Sequence, residues 1–218
     1  MIPERNGRLM SSELIPQESD AWTHLLLRAR FGVNEIETKL NILNEEYQFF
    51  HSYNPIEHIT TRIKAPREIV RKLQRQGHEP TLENAEKYVH DIGGVRIICS
   101  FTKDVYTIAQ LLQNQSDIKV KQIKDYIKNP KPNGYRSYHM LVEIPVFLSD
   151  HVQPVTVEVQ LRTTGMDLWA SIEHKIYYKS DAAVPDSVLD RLKQCAQVLS
   201  ILDSEMTSIK ADIEKHVK

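Results

Sequence analysis

Apolar residues recur at helical spacing in two long segments near the ends of this 218-residue chain. In the first segment the steps alternate between four and three residues, at Ile36, Leu40, Leu43, Tyr47 and Phe50. After Pro185 the same alternation runs through Leu192, Cys195, Leu199, Leu202, Met206, Ile209 and Ile213. Because such steps align side chains on one face of an α-helix, we predict helices over 20–50 and 185–215.

Each apolar stripe has two interpretations. A helical stripe usually packs on the protein's own core. A seven-residue repeat over about 30 residues is also typical of a surface on which copies of a chain associate. Both interpretations stay open, and one chain can satisfy both.

The pattern changes between these helices. Four segments rich in β-branched residues predict strands, at 94–101, 118–127, 137–148 and 155–163. Helical segments are expected at 66–76, 103–113 and 166–178, the first with a proline in its first turn. We therefore predict an α+β protein, with a mixed sheet of about four to five strands flanked by helices.

The domain organisation is simple. Residues 1–18 contain Pro3, Gly7 and Pro16 without a sustained period, so we expect a flexible leader. The rest of the chain, 19–218, has the length of a single domain, with its core at about 50–180. Hydrophobic residues make up 41% and charged residues 26%, as in globular proteins. With no apolar run of membrane-spanning length and no secretory signal, we expect a cytoplasmic protein without a membrane partner.

Charge and cysteine content narrow the classes of function. A net charge of −1 argues against a protein whose whole surface attracts nucleic acid. Cys99 and Cys195 lie in apolar patterns without a metal-ligand partner nearby, so both are expected to be buried free thiols. Between Arg62 and Arg75, however, six basic residues accompany one acid, Glu68. This arrangement favours polyanion binding, although a solvated cationic helix face is the common alternative.

Two acidic residues are placed for metal chemistry. Asp91 directly precedes Ile92-Gly93-Gly94 and the first predicted strand, where glycines allow a backbone or a phosphate to come close. Glu158 lies on the fourth predicted strand. Either acid alone is more often a turn residue or a solvated strand residue. A pair of acids on separate strands is a usual way to hold Mg²⁺ over nucleotide phosphates.

An aromatic loop follows the second predicted strand. The segment GYRSYH at 134–139 places Tyr135 and Tyr138 beside a glycine, an arginine and a histidine. Tyr135 is the better candidate for stacking on a nucleotide base, because Tyr138 is more readily explained as a core residue. The His90-Asp91 dipeptide leads into a Gly-Gly turn, so we reject a metal phosphohydrolase site. A phosphate-binding P-loop motif is absent from the sequence.

Four segments together resemble the motifs of the synthetase domain of the RelA/SpoT family. They are RIK at 62–64, DIGGVRI at 91–97, GYRSYH at 134–139 and EVQLRT at 158–163. The resemblance implies a nucleotidyltransferase-like synthetase fold. The flanking helices are similar to those of the short, synthetase-only members, the small alarmone synthetases. With 61 residues before the first motif, a hydrolase domain and hydrolysis of the product are not expected.

The resemblance implies a role for each matched residue. Asp91 and Glu158 would bind Mg²⁺, and Glu158 would also accept the proton of the attacking 3′-hydroxyl. Tyr135 would stack on guanine, and Gln160 and Arg162 would support the end of the sheet. The ATP site would comprise Arg62, Lys64, Lys72, Arg75 and Arg96, with Arg62 and Arg96 on either side of adenine. The acceptor nucleotide would be lined by Lys131, Asn133 and His139.

The implied activity is transfer of a diphosphate from ATP to the 3′-hydroxyl of GDP or GTP, which makes (p)ppGpp. Small members of the family are expected to form homotetramers, and RNA is not an expected partner. Glu68 replaces a serine common in relatives, and Asp167 an asparagine. The residues alone leave two alternatives open, a nucleotidyltransferase that releases pyrophosphate and a non-catalytic module that binds RNA or a nucleotide.

Overall fold

The computed structural model describes residues 20–178 and 185–216, so the predicted leader at 1–18 lies outside the described residues. Helices and strands follow one another in the order α1 (Asp20–Phe50), β1 (Ile56–Ile63), α2 (Pro66–Arg75), α3 (Leu82–Tyr88), β2 (Gly93–Cys99), α4 (Thr102–Gln113), β3 (Lys119–Asp125), β4 (Tyr138–Phe147), β5 (Val152–Thr163), α5 (Thr164–Tyr178) and α6 (Asp186–His216).

The five strands form one mixed sheet in the order β1-β2-β5-β4-β3. The central pair β2 and β5 is parallel, and the other three pairings are antiparallel. The predicted α+β class and mixed sheet are confirmed. Strand β1 was not among the four predicted strands. It brings the number of strands to five, the upper end of the predicted four to five.

The two faces of the sheet differ. Alternate residues of β4 and β5 are buried, for example Val142, Val157 and Val159, and they pack with α1 and α4 residues such as Ile36 and Ile108 into the main core. The intervening residues point to the other face and are partly exposed. The second face is therefore the one on which side chains of β4 and β5 are accessible to a ligand.

The two long helices use their apolar stripes differently. On α1, Ile36 and Leu40 are fully buried, whereas Phe50 at the end of the stripe is 83% exposed. On α6, Ala196 is buried near Trp169 of α5, whose indole Nε1 donates to the Leu192 carbonyl at 2.8 Å. From Leu202 to Ile213 the α6 stripe remains exposed.

The prediction of two buried thiols is half wrong. Cys99 is buried in β2, and burial raises the pKa of its thiol to about 12. Cys195 is exposed, because it lies on α6 outside the contact with α5. Across residues 20–178 and 185–216, no helix combines the length and the apolar character that a membrane span requires.

Candidate active site

Asp91 and Glu158 lie together because β2 and β5 run parallel. Gly94 of β2 is the register partner of Glu158, and Asp91 lies in the turn just before β2. The turn is pressed against α1, since a Cβ on Gly93 would lie 2.9 Å from a Val33 methyl and 3.0 Å from the Ala29 carbonyl oxygen. The glycine predicted to allow close approach thus admits a helix backbone rather than a phosphate.

Two lysines hold the carboxylate of Asp91. Lys64 Nζ lies 2.6 Å from Oδ2, and Lys72 Nζ lies 2.8 Å from Oδ1. Burial alone would raise the pKa of Asp91, but hydrogen bonds and charge from the two lysines outweigh it and hold the pKa below its ordinary value. Asp91 is therefore ionised at neutral pH and already neutralised by cations.

The carboxylate of Glu158 contacts a histidine and a side-chain amide instead of two lysines. His139 Nδ1 lies 3.4 Å from Oε1, and the Gln160 amide donates to Oε2 at 2.8 Å. Burial, and to a smaller extent the charge of Asp91, raise the pKa of Glu158. The contacts with His139 and Gln160 together lower it by more, so the pKa lies below its ordinary value. Glu158 is therefore ionised, and an ionised carboxylate is the form that can accept a proton in general base catalysis.

A cationic cleft opens on one side of the acid pair. Besides the two acids it is lined by Thr60, Thr61, Arg62, Lys64, Gly94, Val95, Arg96 and Gln160. A neighbouring depression extends it along α2 past Arg71, Arg75 and His174. Arg62 forms an ion pair with Glu68 at 2.6 Å, so the acid that departs from the family pattern contacts a predicted ATP residue.

An aromatic cleft opens on the other side of the same acids. Its lining includes Lys72, Lys124, Tyr126, Lys131, His139 and Leu141. Lys131 Nζ lies 4.9 Å from the ring centroid of Tyr126 and 4.8 Å from that of Tyr135. Tyr135 stands beside the cleft, with its hydroxyl 2.8 Å from His139 Nε2. Tyr138 is buried and packs edge-on against Tyr106, as the core interpretation predicted.

Asn133 shapes the loop that carries these groups. Its side-chain oxygen accepts from the backbone N–H of Tyr135 at 3.1 Å, and its amide donates to Glu173 at 3.2 Å. Asn133 is not among the residues that line either cleft. The other predicted site residues line the two clefts or the depression along α2, apart from Tyr135, which lies at the edge of the aromatic cleft.

Several cleft residues were not predicted from the sequence. Lys124 and Tyr126 reach the aromatic cleft from the end of β3, where Lys124 is the register partner of His139. Thr60 and Thr61 reach the cationic cleft from β1. Recognising β1 as a strand next to β2 is the signal that would have found the threonines, since Arg62 pairs with Gly94.

Comparison with known proteins agrees with this geometry. A sequence profile described as "Region found in RelA / SpoT proteins" matches residues 61–183, more than half of the chain. The chain belongs to the RelA/SpoT family. It is 45% identical to the GTP pyrophosphokinase YwaC of Bacillus subtilis over 193 residues, which cover 88% of this chain and 92% of that one.

Solved structures extend the likeness to the fold. The chain is similar to the small alarmone synthetase 1 of Bacillus subtilis bound to its product pppGpp, with a TM-score of 0.83 and 34% identity over 89% of this chain and 99% of that one. The same protein bound to AMPCPP gives a TM-score of 0.77 and 31% identity over 90% and 100% of the two chains. The RelA/SpoT fold expected from the motifs is thereby confirmed.

Proposed function

We propose that this RelA/SpoT-family protein is a (p)ppGpp synthetase that transfers the β,γ-diphosphate of ATP to the 3′-hydroxyl of GDP or GTP and releases AMP, and that it acts in the cytoplasm. The observation that carries the proposal is that Asp91 and Glu158 line both clefts. Two nucleotides bound in the two clefts would meet at the acid pair. A transfer between them requires that arrangement.

The cationic cleft suits ATP. Arg62 and Arg96 lie on neighbouring strands, at the register positions Arg62–Gly94 and Thr60–Arg96, and guanidinium planes stack well on a purine. Lys64, Arg71 and Arg75 supply positive charge for the phosphates. Lys72, which the resemblance places in the ATP site, lines the aromatic cleft and contacts Asp91 between the two clefts. When phosphates arrive, Lys64 and Lys72 can exchange part of their contact with Asp91 for contact with phosphate oxygens.

The aromatic cleft suits the guanine nucleotide. Tyr135 and Tyr126 offer aromatic surfaces, and Lys131 and His139 provide charge and hydrogen bonds at the same edge. Stacking on an aromatic side chain contributes about 1–3 kcal/mol per base in single-stranded nucleic acids. Tyr135 is connected through His139 to Glu158, so the stacked base and the acid pair have a fixed relation.

The reaction then needs one proton acceptor and charge neutralisation. The 3′-hydroxyl oxygen forms a bond to the β-phosphorus, the bond from that phosphorus to the oxygen bridging the α- and β-phosphates breaks, and the bridging oxygen leaves with AMP. The proton of the hydroxyl passes to Glu158. Arg and Lys side chains of the cationic cleft stabilise the negative charge on the phosphoryl oxygens.

Asp91 and Glu158 fit a magnesium ion. Among the described residues, no group of three or more His, Cys, Asp or Glu side chains is arranged to hold a metal. Mg²⁺ does not need one, because it is commonly bound by one or two carboxylates together with substrate phosphates and water. Bound there, the ion would neutralise phosphate charge and acidify the attacking hydroxyl.

The two alternatives differ from this proposal in their products. A nucleotidyltransferase would release pyrophosphate instead of AMP. A silent RNA-binding module would give neither product, and two adjacent carboxylates in the binding surface repel an RNA backbone.

The proposal is tested by turnover with ATP, GDP or GTP, and Mg²⁺. AMP should form only when both nucleotides are present, and Glu158→Gln should reduce its formation at least about 1,000-fold, a loss in the range seen when essential catalytic groups are removed. Glu143→Gln is a matched control, because Glu143 is 26% exposed on the same sheet, compared with 25% for Glu158, and pairs with Lys121. Near-normal turnover by Glu158→Gln would exclude the proposed role.

A further inference from the structure

Glu158 and four neighbouring side chains form a closed ring of polar contacts. Arg162 Nη2 donates to the Tyr135 hydroxyl at 2.7 Å and to the Gln160 side-chain oxygen at 3.0 Å. The Tyr135 hydroxyl contacts His139 Nε2, and His139 Nδ1 lies 3.4 Å from Glu158 Oε1. Gln160 Nε2 donates to Glu158 Oε2. Two routes thus connect one guanidinium nitrogen to the two oxygens of one carboxylate.

Chemistry fixes the direction of the hydrogen bonds made by Arg162 and by Glu158. A guanidinium only donates, and an ionised carboxylate only accepts. Gln160 must therefore present its oxygen to Arg162 and its amide to Glu158. The Tyr135 hydroxyl accepts from Arg162 and shares a second hydrogen bond with His139 Nε2, whose direction depends on the tautomer of His139. The tautomer with its hydrogen on Nδ1 accepts from Tyr135 at Nε2 and presents a donor to Glu158.

Both routes begin at the guanidinium of Arg162, which is held in place by further contacts. Its side chain is 6% exposed, its second terminal nitrogen donates to Asp167 Oδ1 at 2.9 Å, and its guanidinium carbon lies 5.2 Å from the Tyr135 ring centroid. Asp167 also lies 3.4 Å from Arg96 of the cationic cleft. A buried arginine with this many partners has little rotational freedom. It therefore restricts the side chains of Tyr135 and Gln160 that it contacts.

We propose that Gln160 and Arg162 are positioning residues, which orient the carboxylate of Glu158 relative to Tyr135 through these two routes. The inference rests on the proposed function, in which Glu158 accepts a proton from a nucleotide stacked on Tyr135. A base that is free to rotate loses alignment with the hydroxyl, and alignment is a large part of catalysis. The sheet-support role expected for the two residues is thereby extended to the reaction.

Tyr135→Phe isolates the first route. Phenylalanine keeps the ring for stacking and loses the hydroxyl that joins Arg162 to His139. We expect kcat to fall about 10-fold while KM for the guanine nucleotide changes less than about threefold, as expected when an outer partner of a reacting group is removed. If Tyr135 served only for stacking or packing, kcat would stay within twofold of wild type. Tyr53→Phe is the matched control, because the Tyr53 hydroxyl is likewise hydrogen-bonded to a side chain, the carboxylate of Asp104 at 2.7 Å, but lies away from both clefts.

Gln160→Leu isolates the second route. We expect kcat to fall about 10- to 100-fold with KM for ATP and for the guanine nucleotide changed less than about threefold. Gln153→Leu is the matched control, since Gln153 lies on the same strand and its side chain bonds only the neighbouring Pro154 carbonyl among the described contacts. A loss of folding in Gln160→Leu would lower its thermal midpoint and active fraction below those of Gln153→Leu, whereas a loss of alignment lowers kcat at an unchanged midpoint.

The result that overturns the inference is a kcat within twofold of wild type for both Tyr135→Phe and Gln160→Leu. A loss that appears entirely in KM also overturns it, because that would assign the residues to binding rather than to alignment. Failure of the proposed function is distinguishable, since in that case the wild-type protein itself forms no AMP from ATP and GDP.

Discussion

At the scale of single residues, Asp91 contacts the same two lysines that are proposed to contact nucleotide phosphates. Without nucleotides its oxygens are paired with Lys64 and Lys72, whose side chains are 12% and 27% exposed. The same two cations line the clefts where phosphates are proposed to bind. Asp91 thus prevents two neighbouring ammonium groups from repelling each other until phosphates arrive, and this stabilising role is separate from metal binding.

Replacing Asp91 should therefore destabilise the metal-free protein. Since the folded-state pKa of Asp91 lies below its ordinary value, its favourable contribution is present above the unfolded pKa of about 3.9 and is lost as pH falls through the folded pKa. We expect Asp91→Asn to lower the free energy of unfolding by about 1–3 kcal/mol at pH 7.5. The gap to wild type should narrow progressively at and below pH 4.

Urea unfolding in the presence of a chelator measures this difference. Asp150→Asn is a suitable control, because Asp150 is fully exposed and pairs only with His151 among the described contacts. Equal unfolding free energies of wild type and Asp91→Asn at pH 7.5 would contradict the stabilising role.

Glu68 competes for a residue of the cationic cleft. Its carboxylate holds Arg62 at 2.6 Å, and both side chains are substantially exposed, at 42% and 57%. Exposed ion pairs contribute about 0–1 kcal/mol, so Glu68→Ser should lower KM for ATP by at most about fivefold. KM for the guanine nucleotide should not change. Steady-state kinetics with each nucleotide varied in turn checks this, and a rise in KM for ATP would mean that Glu68 aids binding.

Prediction of single residues depended on how local their signal was. Asp91, Glu158 and the Arg62 to Arg75 cations were recognisable because each lies in a short motif with its own pattern. Lys124 and Tyr126 were missed, because only strand pairing brings β3 beside His139. The ring through Arg162 was also not predicted, since Tyr135 and Arg162 are 27 residues apart and meet only when β4 pairs with β5.

At the scale of elements, the helices were predicted within a few residues and two short elements were missed. Long amphipathic patterns identify α1, α4, α5 and α6 because many side chains contribute to the period. Strand β1 is an edge strand with mostly exposed residues, so it lacks an apolar alternation. Helix α3 has seven residues, with Ala85 as its buried residue, and that is too few for a periodic signal.

Helix α6 supports the loop that carries Tyr135. Gly134 has a φ of +92°, and a Cβ on it would lie 2.7 Å from the Ala196 side chain of α6. Tyr135 also packs with the small cluster of Trp169, Ala170 and Ala196. The aromatic cleft therefore depends on the docking of α6, even though α6 does not line the cleft.

Gly134→Ala tests this dependence. We expect it to cost about 1–2 kcal/mol of stability from the positive φ, plus a further loss from the clash with Ala196, and to raise KM for the guanine nucleotide. Gly77→Ala is the matched control, because Gly77 has a φ of +78° and no atom within 4 Å of the added methyl. Thermal unfolding and steady-state kinetics measure both effects. Equal behaviour of the two variants would mean that α6 does not hold the loop.

At the scale of the whole molecule, the apolar stripe of α6 from Leu202 to Ile213 is exposed, and no other described part of the chain covers it. Leu202 is 54% exposed, Met206 49% and Ile213 59%. Such a continuous apolar surface is costly in water, and it favours the self-association interpretation of the α6 stripe over complete burial within one chain. We therefore expect a homo-oligomer, and a homotetramer from the family resemblance.

Light scattering on the purified protein measures the assembly. We predict a mass four times that of the 25.3 kDa chain, and dissociation when Leu202 and Ile209 are both replaced by glutamate. Phe147→Glu is the control, because Phe147 is 76% exposed at the end of β4. A mass of one chain for the wild-type protein would contradict the prediction.

Diphosphate transfer from ATP to the guanine nucleotide depends on the whole molecule, because both clefts must deliver their nucleotides to one acid pair. The most direct measurement follows labelled phosphorus from ATP in the presence of GDP and Mg²⁺. With label in the γ-position, we expect labelled guanosine carrying a 3′-diphosphate. With label in the α-position, we expect labelled AMP. Transfer of the α-label to the guanosine product, with release of pyrophosphate, would contradict this expectation.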